Sequence, residues 1–454
     1  MPHKVTALAF LCLAFFSCSS KESKILSHEK KSREAGRGAE LFAQQLESEK
    51  SAALDSYIKS LSLRERLAQL FVINLEGNEK FWFVERLDGD GAQDKNEPLV
   101  PGGYIFFSFN IARDPAQIAA FTDSVRAFAL DSGLSEPFLC LDAEGGYVNR
   151  LRGVAGPLPE NEWVAGNINP KEAFLLYSLN AVQLRALGFD LNLSPVVEVQ
   201  NQSNQEFLDG RSFGGARQVV EYGSAAVLAY QTNKVGAVLK HFPGNNSVDP
   251  HRALPILSFE SGDFERDVLK PFAELCSLKP ACVLMSHALA SVEGMNGSRA
   301  DGQGAAQTPA SLSPFWIKET LRKNAGFDGL VFSDDIFMAA LEKNGWPSER
   351  AVKAAILAGV NCILMSEKRF INEWKIVKKL YESDAAFKAA ADDSIKRVFA
   401  FKLFAGILEW DFETQAVRPR SDSVFSASSL QERLDRFYGA KKLNEELVEK
   451  YVQE

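Results

Sequence analysis

Residues 237–246 read AVLKHFPGNN. A short apolar run ends in the pair Lys240 and His241, and a loop of proline, glycine and asparagine follows at once. An apolar run of this length between turn residues is typical of a buried strand and too short for an ordinary helix. Strands that end in polar, reactive groups are a feature of α/β proteins, because their sites lie at the carboxyl ends of the strands.

Seven further short apolar runs, bounded by polar or glycine turns, lie along the chain. With the first run they predict strands at residues 70–75, 103–107, 138–141, 191–196, 237–240, 282–285, 330–332 and 362–365. Longer amphipathic stretches predict helices at residues 115–131, 170–187, 216–234, 263–278, 314–324, 348–358 and 370–404. Alternating strands and helices imply parallel pairing through crossover helices. We therefore predict an α/β fold, a (β/α)8 TIM-type barrel forming a single catalytic domain, with a doubly wound open sheet as the alternative.

The N-terminus has the pattern of an export signal. Lys4 precedes an apolar run from Val5 to Phe16, which is too short to span a bilayer comfortably. Cys18 follows directly and resembles the lipidated cysteine of a lipobox, whereas a plain signal peptide cut near Ser17 is the alternative. We expect residues 1–18 to be a lipoprotein-like signal peptide and the protein to be anchored by lipid in the cell envelope, on a periplasmic or outer surface.

The remaining organisation follows from composition along the chain. We expect a tether at residues 19–51, the barrel at 52–405 and a helical C-terminal extension at 406–454. The net charge of −8 argues against nucleic acid as a partner, because phosphate binding needs clustered basic residues. Cysteines at 140, 276, 282 and 362 fit no zinc spacing and are expected to be buried free thiols. No cluster implies a metal or an organic cofactor.

Four predicted strands end in polar residues of the kinds that carry chemistry. These ends are Asp142-Ala143-Glu144, Lys240-His241, Ser286-His287 and Ser333-Asp334-Asp335. In a (β/α)8 barrel such ends meet at one face, so we predict an active site there. The loop after Lys240 also holds Asp249 and His251, two residues apart. A carboxylate that close to an imidazole can fix its tautomer and make it a proton donor and acceptor near neutral pH.

Residues 240–255 resemble the Lys-His-Phe-Pro-Gly signature and closing Asp-x-His of glycoside hydrolase family 3, in its single-domain bacterial β-N-acetylglucosaminidase branch. Three further stretches agree with that family. Residues 141–151 are similar to its Asp-x-Glu-Gly-Gly-x-Val-x-Arg segment, 210–214 to its Arg-Ser-Phe-Gly segment and 329–336 to its Ser-Asp-Asp segment. The resemblance covers roughly residues 52–405, and four motifs in order are far more specific than one.

The resemblance implies a role for each matching residue. Asp334 would be the nucleophile, with Asp335 as the alternative by register, and His251 would be the general acid and base, oriented by Asp249. The residues implied to bind the sugar are Asp142, Arg150, Arg211, Lys240, His241 and His287. The implied activity is that of an exo-acting, retaining β-N-acetylglucosaminidase, which removes terminal β-linked N-acetylglucosamine from peptidoglycan fragments or related oligosaccharides.

The chain also departs from the family pattern. Asn245 and Asn246 stand where His-Gly is usual, Pro250 separates Asp249 from His251, and Glu198 stands where relatives often have Asp. Two other activities of the same family therefore stay open, a β-glycoside phosphorylase and a β-glucosidase. From another class, a catalytically degenerate sugar-binding lipoprotein is the alternative.

Overall fold

The computed structural model describes residues 47–82, 98–248, 253–295, 308–366, 370–420 and 430–452. Cys18, Asp249 and His251 lie outside these ranges. The chain divides into two compact units, Met1–Ala53 and Leu54–Glu454. The described part of the first unit, residues 47–53, is helical, and the second unit contains the sheet and its helices.

Eight short strands form one parallel sheet in the described chain. They are β1 (Phe71–Asn74), β2 (Gly103–Phe106), β3 (Phe138–Leu141), β4 (Leu191–Asn192), β5 (Gly236–Phe242), β6 (Cys282–Met285), β7 (Leu330–Phe332) and β8 (Ile363–Met365). Their order is β7-β6-β5-β4-β3-β2-β1-β8. A single parallel bridge between Phe332 and Cys362 joins the two ends. The nearly closed eight-stranded barrel confirms the predicted fold class.

From β2 onward, helices connect successive strands as predicted. The long ones are Pro115–Asp131, Pro170–Ala186, Ala216–Thr232, the consecutive segments Ser261–Phe264, Glu265–Leu269 and Lys270–Cys276, then Phe315–Asn324, Ser348–Ala358, Phe370–Ser383 and Ala385–Phe404. The short ones are Leu63–Ala68, Ser108–Asn110, Asn161–Asn167, Gln205–Leu208, Ala310–Leu312 and Ala339–Lys343. Asp114 and Asn169 each cap a first turn that begins with proline, which explains why those starts are readable from sequence. No helix in the described ranges has both the length and the apolar character needed to cross a membrane.

The barrel interior is a packed apolar core. Side chains from facing strands fill it, among them Val72, Ile105, Val238 and Leu330, and each is almost fully shielded from solvent. Cys140, Cys282 and Cys362 lie in the same core, and Cys276 is buried outside it. All four are free thiols, which confirms the prediction made for them.

Buried ion pairs occupy the end where the strands begin. Arg126 contacts Glu136 at 2.5 Å and Asp190 at 2.6 Å, just ahead of β3 and β4. Arg420 also pairs with Glu136. The described part of the C-terminal extension holds a two-stranded hairpin, Leu408–Asp411 with Ala416–Pro419, before its helix Leu430–Val452. The sequence pattern predicts the helix in this segment and does not predict the hairpin.

Besides the C-terminal hairpin, two small pairs of strands in the described chain lie outside the barrel sheet. Ala143–Gly145 pairs antiparallel with Val148–Asn149 directly after β3. Ile256–Phe259 pairs parallel with Leu289–Val292 after β5 and β6. Both pairs follow the carboxyl ends of barrel strands. The first contributes to the lining of the cavity described next, and the second lines a neighbouring cavity.

Candidate active site

A cavity of about 500 Å³ opens at the carboxyl ends of the barrel strands. Its apolar lining comes from Ile105, Phe107, Val148, Leu193, Phe207, Leu284, Met338, Leu364 and Met365. Its polar lining comes from Asp142, Glu144, Arg150, Arg211, Lys240, His241, Asn245, Asp334, Asp335 and Ser366. An apolar wall with a few convergent polar groups is the usual character of a small-molecule site.

The structure brings most of the predicted site residues to this one cavity. Asp142, Arg150, Arg211, Lys240, His241 and Asp334 all line it. The predicted dyad of Asp249 and His251 lies outside the described residues, between Val248 and Ala253. The strand ends therefore converge as the barrel geometry requires.

His287 is placed differently from the other predicted residues. The described residues that line the cavity do not include it. Its ring lies behind the segment after β7, with Nδ1 2.6 Å from the Ser311 hydroxyl and Nε2 3.0 Å from the Asp335 carbonyl oxygen. The resemblance implied that His287 binds the sugar, whereas its described contacts are with Ser311 and the backbone at Asp335.

Lys240 is the centre of a buried charge cluster. Its Nζ lies 2.8 Å from Asp142 Oδ1 and 2.6 Å from Glu144 Oε1. Burial lowers the pKa of Lys240, but the two carboxylates outweigh burial and hold that pKa above its usual value. The side chain is therefore a permanent ammonium group with two anionic partners.

Glu144 is the carboxylate that joins this cluster to Arg211. The guanidinium binds it through two atoms, with Nε 2.8 Å from Oε2 and Nη2 2.9 Å from Oε1. Burial raises the pKa of Glu144, yet Lys240 and Arg211 lower it to about 2. Glu144 stands two residues after Asp142 at a strand end, which is a usable signal, but the sequence alone leaves its role open.

Asp142 connects Lys240 to Arg150 across the cavity wall. Arg150 Nη2 lies 3.1 Å from Asp142 Oδ2, and the Arg150 guanidinium lies 5.9 Å from the centre of the Phe107 ring. Burial raises the pKa of Asp142, but Lys240 and Arg150 bring it below its usual value. Three cations and two carboxylates thus form a fixed array of hydrogen-bond donors and acceptors on one side of the cavity.

The two carboxylates after β7 have different surroundings. Asp335 accepts the backbone N–H of Phe337 at 3.0 Å and the hydroxyl of Ser366, which follows β8. Burial raises the pKa of Asp335, and the bond from Ser366 opposes this rise. Asp334 accepts the backbone N–H of Asp335 at 2.8 Å on Oδ1, and its side chain lines the cavity. Both carboxylates line the cavity. Asp335 is bound into the β7–β8 connection, whereas Asp334 is bonded to the adjacent backbone N–H and is placed to meet a ligand.

His241 is held by Glu198, which stands where relatives often have Asp. Its Nδ1 lies 2.6 Å from Oε1 of Glu198, a carboxylate that follows β4. On its other side the ring meets Phe207 edge to face, with 6.4 Å between centroids. Phe207 also lies 5.5 Å beneath the Arg211 guanidinium and lines the cavity. No sequence motif marked Phe207, because it belongs to the short helix Gln205–Leu208 in a connection.

Comparisons with known proteins agree with this geometry. The sequence model for "Glycosyl hydrolase family 3 N terminal domain" matches residues 62–401. The beta-hexosaminidase of Thiobacillus denitrificans is 33% identical over 286 residues, which cover 61% of this chain and 74% of that protein. The beta-hexosaminidase of Pseudomonas aeruginosa is 32% identical over 276 residues, covering 59% of this chain and 76% of that protein. Among solved structures, a glycoside hydrolase family 3 beta-N-acetylglucosaminidase from Paenibacillus sp. gives a TM-score of 0.66 at 26% identity, covering 84% of this chain and 68% of that one.

Proposed function

The chain belongs to glycosyl hydrolase family 3, and from this we propose that it is an exo-acting, retaining β-N-acetylglucosaminidase. The observation that carries the proposal is the position of Asp334, which faces the same cavity as the charge cluster around Lys240. Sugar hydroxyls need both donors and acceptors, and the cluster offers ammonium and guanidinium groups beside carboxylates. The names of the relatives support N-acetylglucosamine as the sugar.

The proposed reaction has two displacement steps. A carboxylate oxygen of Asp334 attacks C1 of the sugar and forms a glycosyl ester, while His251 gives its proton to the departing glycosidic oxygen. Water then gives a proton to His251 and attacks C1, and the ester bond breaks to return the Asp334 carboxylate. Asp249 orients the His251 ring. The roles of Asp249 and His251 rest on the sequence motif alone.

The test is an assay of the protein without residues 1–18 on the p-nitrophenyl β-glycosides of N-acetylglucosamine and glucose, each with and without phosphate. We expect p-nitrophenol release from the N-acetylglucosaminide, with the β-anomer as the first product. Asp334→Asn and His251→Ala should each lose on the order of a thousandfold in kcat/KM. A rate gain with phosphate would favour the phosphorylase. Sugar binding without turnover by folded protein would contradict hydrolysis and favour the degenerate binding protein.

We also propose export and a lipid anchor at Cys18, which would put the enzyme beside peptidoglycan fragments as substrates. The support is the apolar run from Val5 to Phe16 with the cysteine that follows it. Incorporation of a labelled fatty acid in bacterial cells should be lost in Cys18→Ala. Faster cleavage of a peptidoglycan disaccharide than of chitobiose would support the substrate, and the reverse order would contradict it.

A further inference from the structure

Glu198 is a buried carboxylate directly behind the candidate active site. Its side chain is 4% exposed. It lines a neighbouring cavity of about 530 Å³, whereas His241 lines the candidate site, and Asn245 lines both cavities. Glu198 thus stands in the wall between the two cavities. A ligand in the candidate site would touch His241, and it would meet Glu198 only through that ring.

Both oxygens of this carboxylate are engaged. Oε1 lies 2.6 Å from Nδ1 of His241 and accepts the side-chain amide of Asn245 at 3.3 Å. Oε2 accepts the backbone N–H of Asn245 at 2.6 Å. His241 and Asn245 are themselves buried. One carboxylate therefore fixes the ring at the end of β5 and also the backbone just after the Pro243-Gly244 turn.

The charge state of Glu198 decides where the imidazole proton lies. Burial raises the pKa of Glu198, but the bond with His241 and the nearby Arg211 charge bring that pKa below its usual value. An ionised carboxylate only accepts hydrogen bonds, so the hydrogen between the two groups belongs to Nδ1. In the neutral imidazole Nε2 is then the acceptor atom.

We propose that Glu198 is a positioning residue that holds His241 as the Nδ1–H tautomer and leaves Nε2 to accept a hydrogen bond from one hydroxyl of the bound sugar. The identity of the ligand as a sugar rests on the proposed function. The tautomer itself does not, because it follows from contacts within the free protein.

The proposal is tested by ¹⁵N NMR of the histidine-labelled full chain at neutral pH. The chain has five histidines, so the spectrum is simple, and a His241→Gln variant assigns the signal. We expect the His241 proton on Nδ1 in the wild type. In Glu198→Gln the amide can donate to Nδ1, so the Nε2–H form should appear, and KM for the p-nitrophenyl N-acetylglucosaminide should rise about tenfold, the size of one hydrogen bond.

Two further variants separate positioning from mere stability. Glu198→Asp keeps the carboxylate and should retain the Nδ1–H form. Glu136→Gln removes another buried carboxylate at the opposite end of the barrel, and it should lower stability while leaving the His241 signal and KM unchanged. A wild-type proton on Nε2, or a Glu198→Gln spectrum equal to wild type, would overturn the proposal. If Glu198→Gln fails to fold, the wild-type spectrum still decides where the His241 proton lies. If the folded wild-type protein has no glycosidase activity, that result counts against the proposed function and not against the tautomer.

Discussion

Asp334 and Asp335 are adjacent carboxylates, and their surroundings predict different results on truncation. Asp334→Ala should lower the rate on the order of a thousandfold or more. A small anion can occupy the space left by the carboxylate and attack C1 from the same face, so azide should partly restore the rate. The product should be the α-glycosyl azide, identified by NMR. Asp335→Ala removes the bonds to Phe337 and Ser366, and it should lower stability without any response to azide.

The same pair of variants can reverse the assignment. If azide restored activity to Asp335→Ala and not to Asp334→Ala, Asp335 would be the nucleophile and the motif register would be shifted by one residue. Asp328→Ala, at an exposed position just ahead of β7, serves as the control. This variant should have wild-type activity, and azide should not change its rate.

Six predicted residues line the cavity. Asp142, Lys240, His241 and Asp334 stand at strand ends, which the barrel brings together. Arg150 and Arg211 lie in connecting segments and were predicted only from the family resemblance.

The role of Glu144 stayed open despite its place in the motif after β3, and Glu198 received none, because the sequence does not show which partners the two carboxylates meet. Glu144 binds Arg211, 67 residues away, and Glu198 binds His241, 43 residues away. Pairings over such distances depend on the three-dimensional order of the strands, which a single sequence does not contain.

At the scale of elements, the strands were predictable because buried parallel strands are continuous apolar runs. The hairpin Ala143–Gly145 with Val148–Asn149 was not, because its residues follow the polar motif and lack the alternation of a strand. Its turn depends on Gly145, which has φ of +117° and lies where a Cβ would meet the carbonyl oxygen of Pro159 at 2.1 Å. This glycine therefore lets the backbone that carries Glu144 pack against the loop at Pro159.

The last barrel helix, Ala385–Phe404, places a lysine where the strands begin, and this predicts a dependence of stability on pH. Lys402 is 1% exposed and donates to the Gln69 side chain, with Glu136, Asp190 and Arg126 as the nearby charges. Burial lowers the pKa of Lys402 to about 7, from 10.5 in the unfolded chain. Between these values the unfolded chain binds the additional proton, so the free energy of unfolding should rise with pH.

Urea unfolding of wild type and Lys402→Met at pH 7, 8 and 9 checks this expectation. The free energy of unfolding should rise more steeply with pH in the wild type than in the variant, by up to about 1.4 kcal/mol per pH unit. Subtracting the free energy of unfolding of the variant from that of the wild type removes the contributions of other groups that titrate in the same pH range. Parallel curves for the two proteins would mean that Lys402 keeps its charge in the folded state.

At the scale of the whole molecule, the helix Leu430–Val452 is attached to the barrel by charge and by apolar packing. Arg433 Nη1 lies 3.1 Å from Asp123 Oδ1, and Lys450 Nζ lies 3.1 Å from Glu172 Oε1. Asp123 and Glu172 belong to the helices that follow β2 and precede β4. The Lys450–Glu172 pair is open to solvent and contributes little. Arg433 is buried at its pair with Asp123, so this contact and the buried apolar side chains hold the helix in place.

Phe437 tests whether this helix is part of the catalytic unit or a separate attachment. The side chain is fully buried, so Phe437→Ala should cost about 3 kcal/mol through lost burial and the cavity left behind. Leu443→Ala, at a position 54% exposed on the same helix, should cost well under 1 kcal/mol. If helix and barrel unfold together, Phe437→Ala will lower the temperature of thermal unfolding and that of activity loss by the same amount, with KM unchanged. A helix that melts separately would instead leave the temperature of activity loss where it is in the wild type, because the barrel alone holds the site.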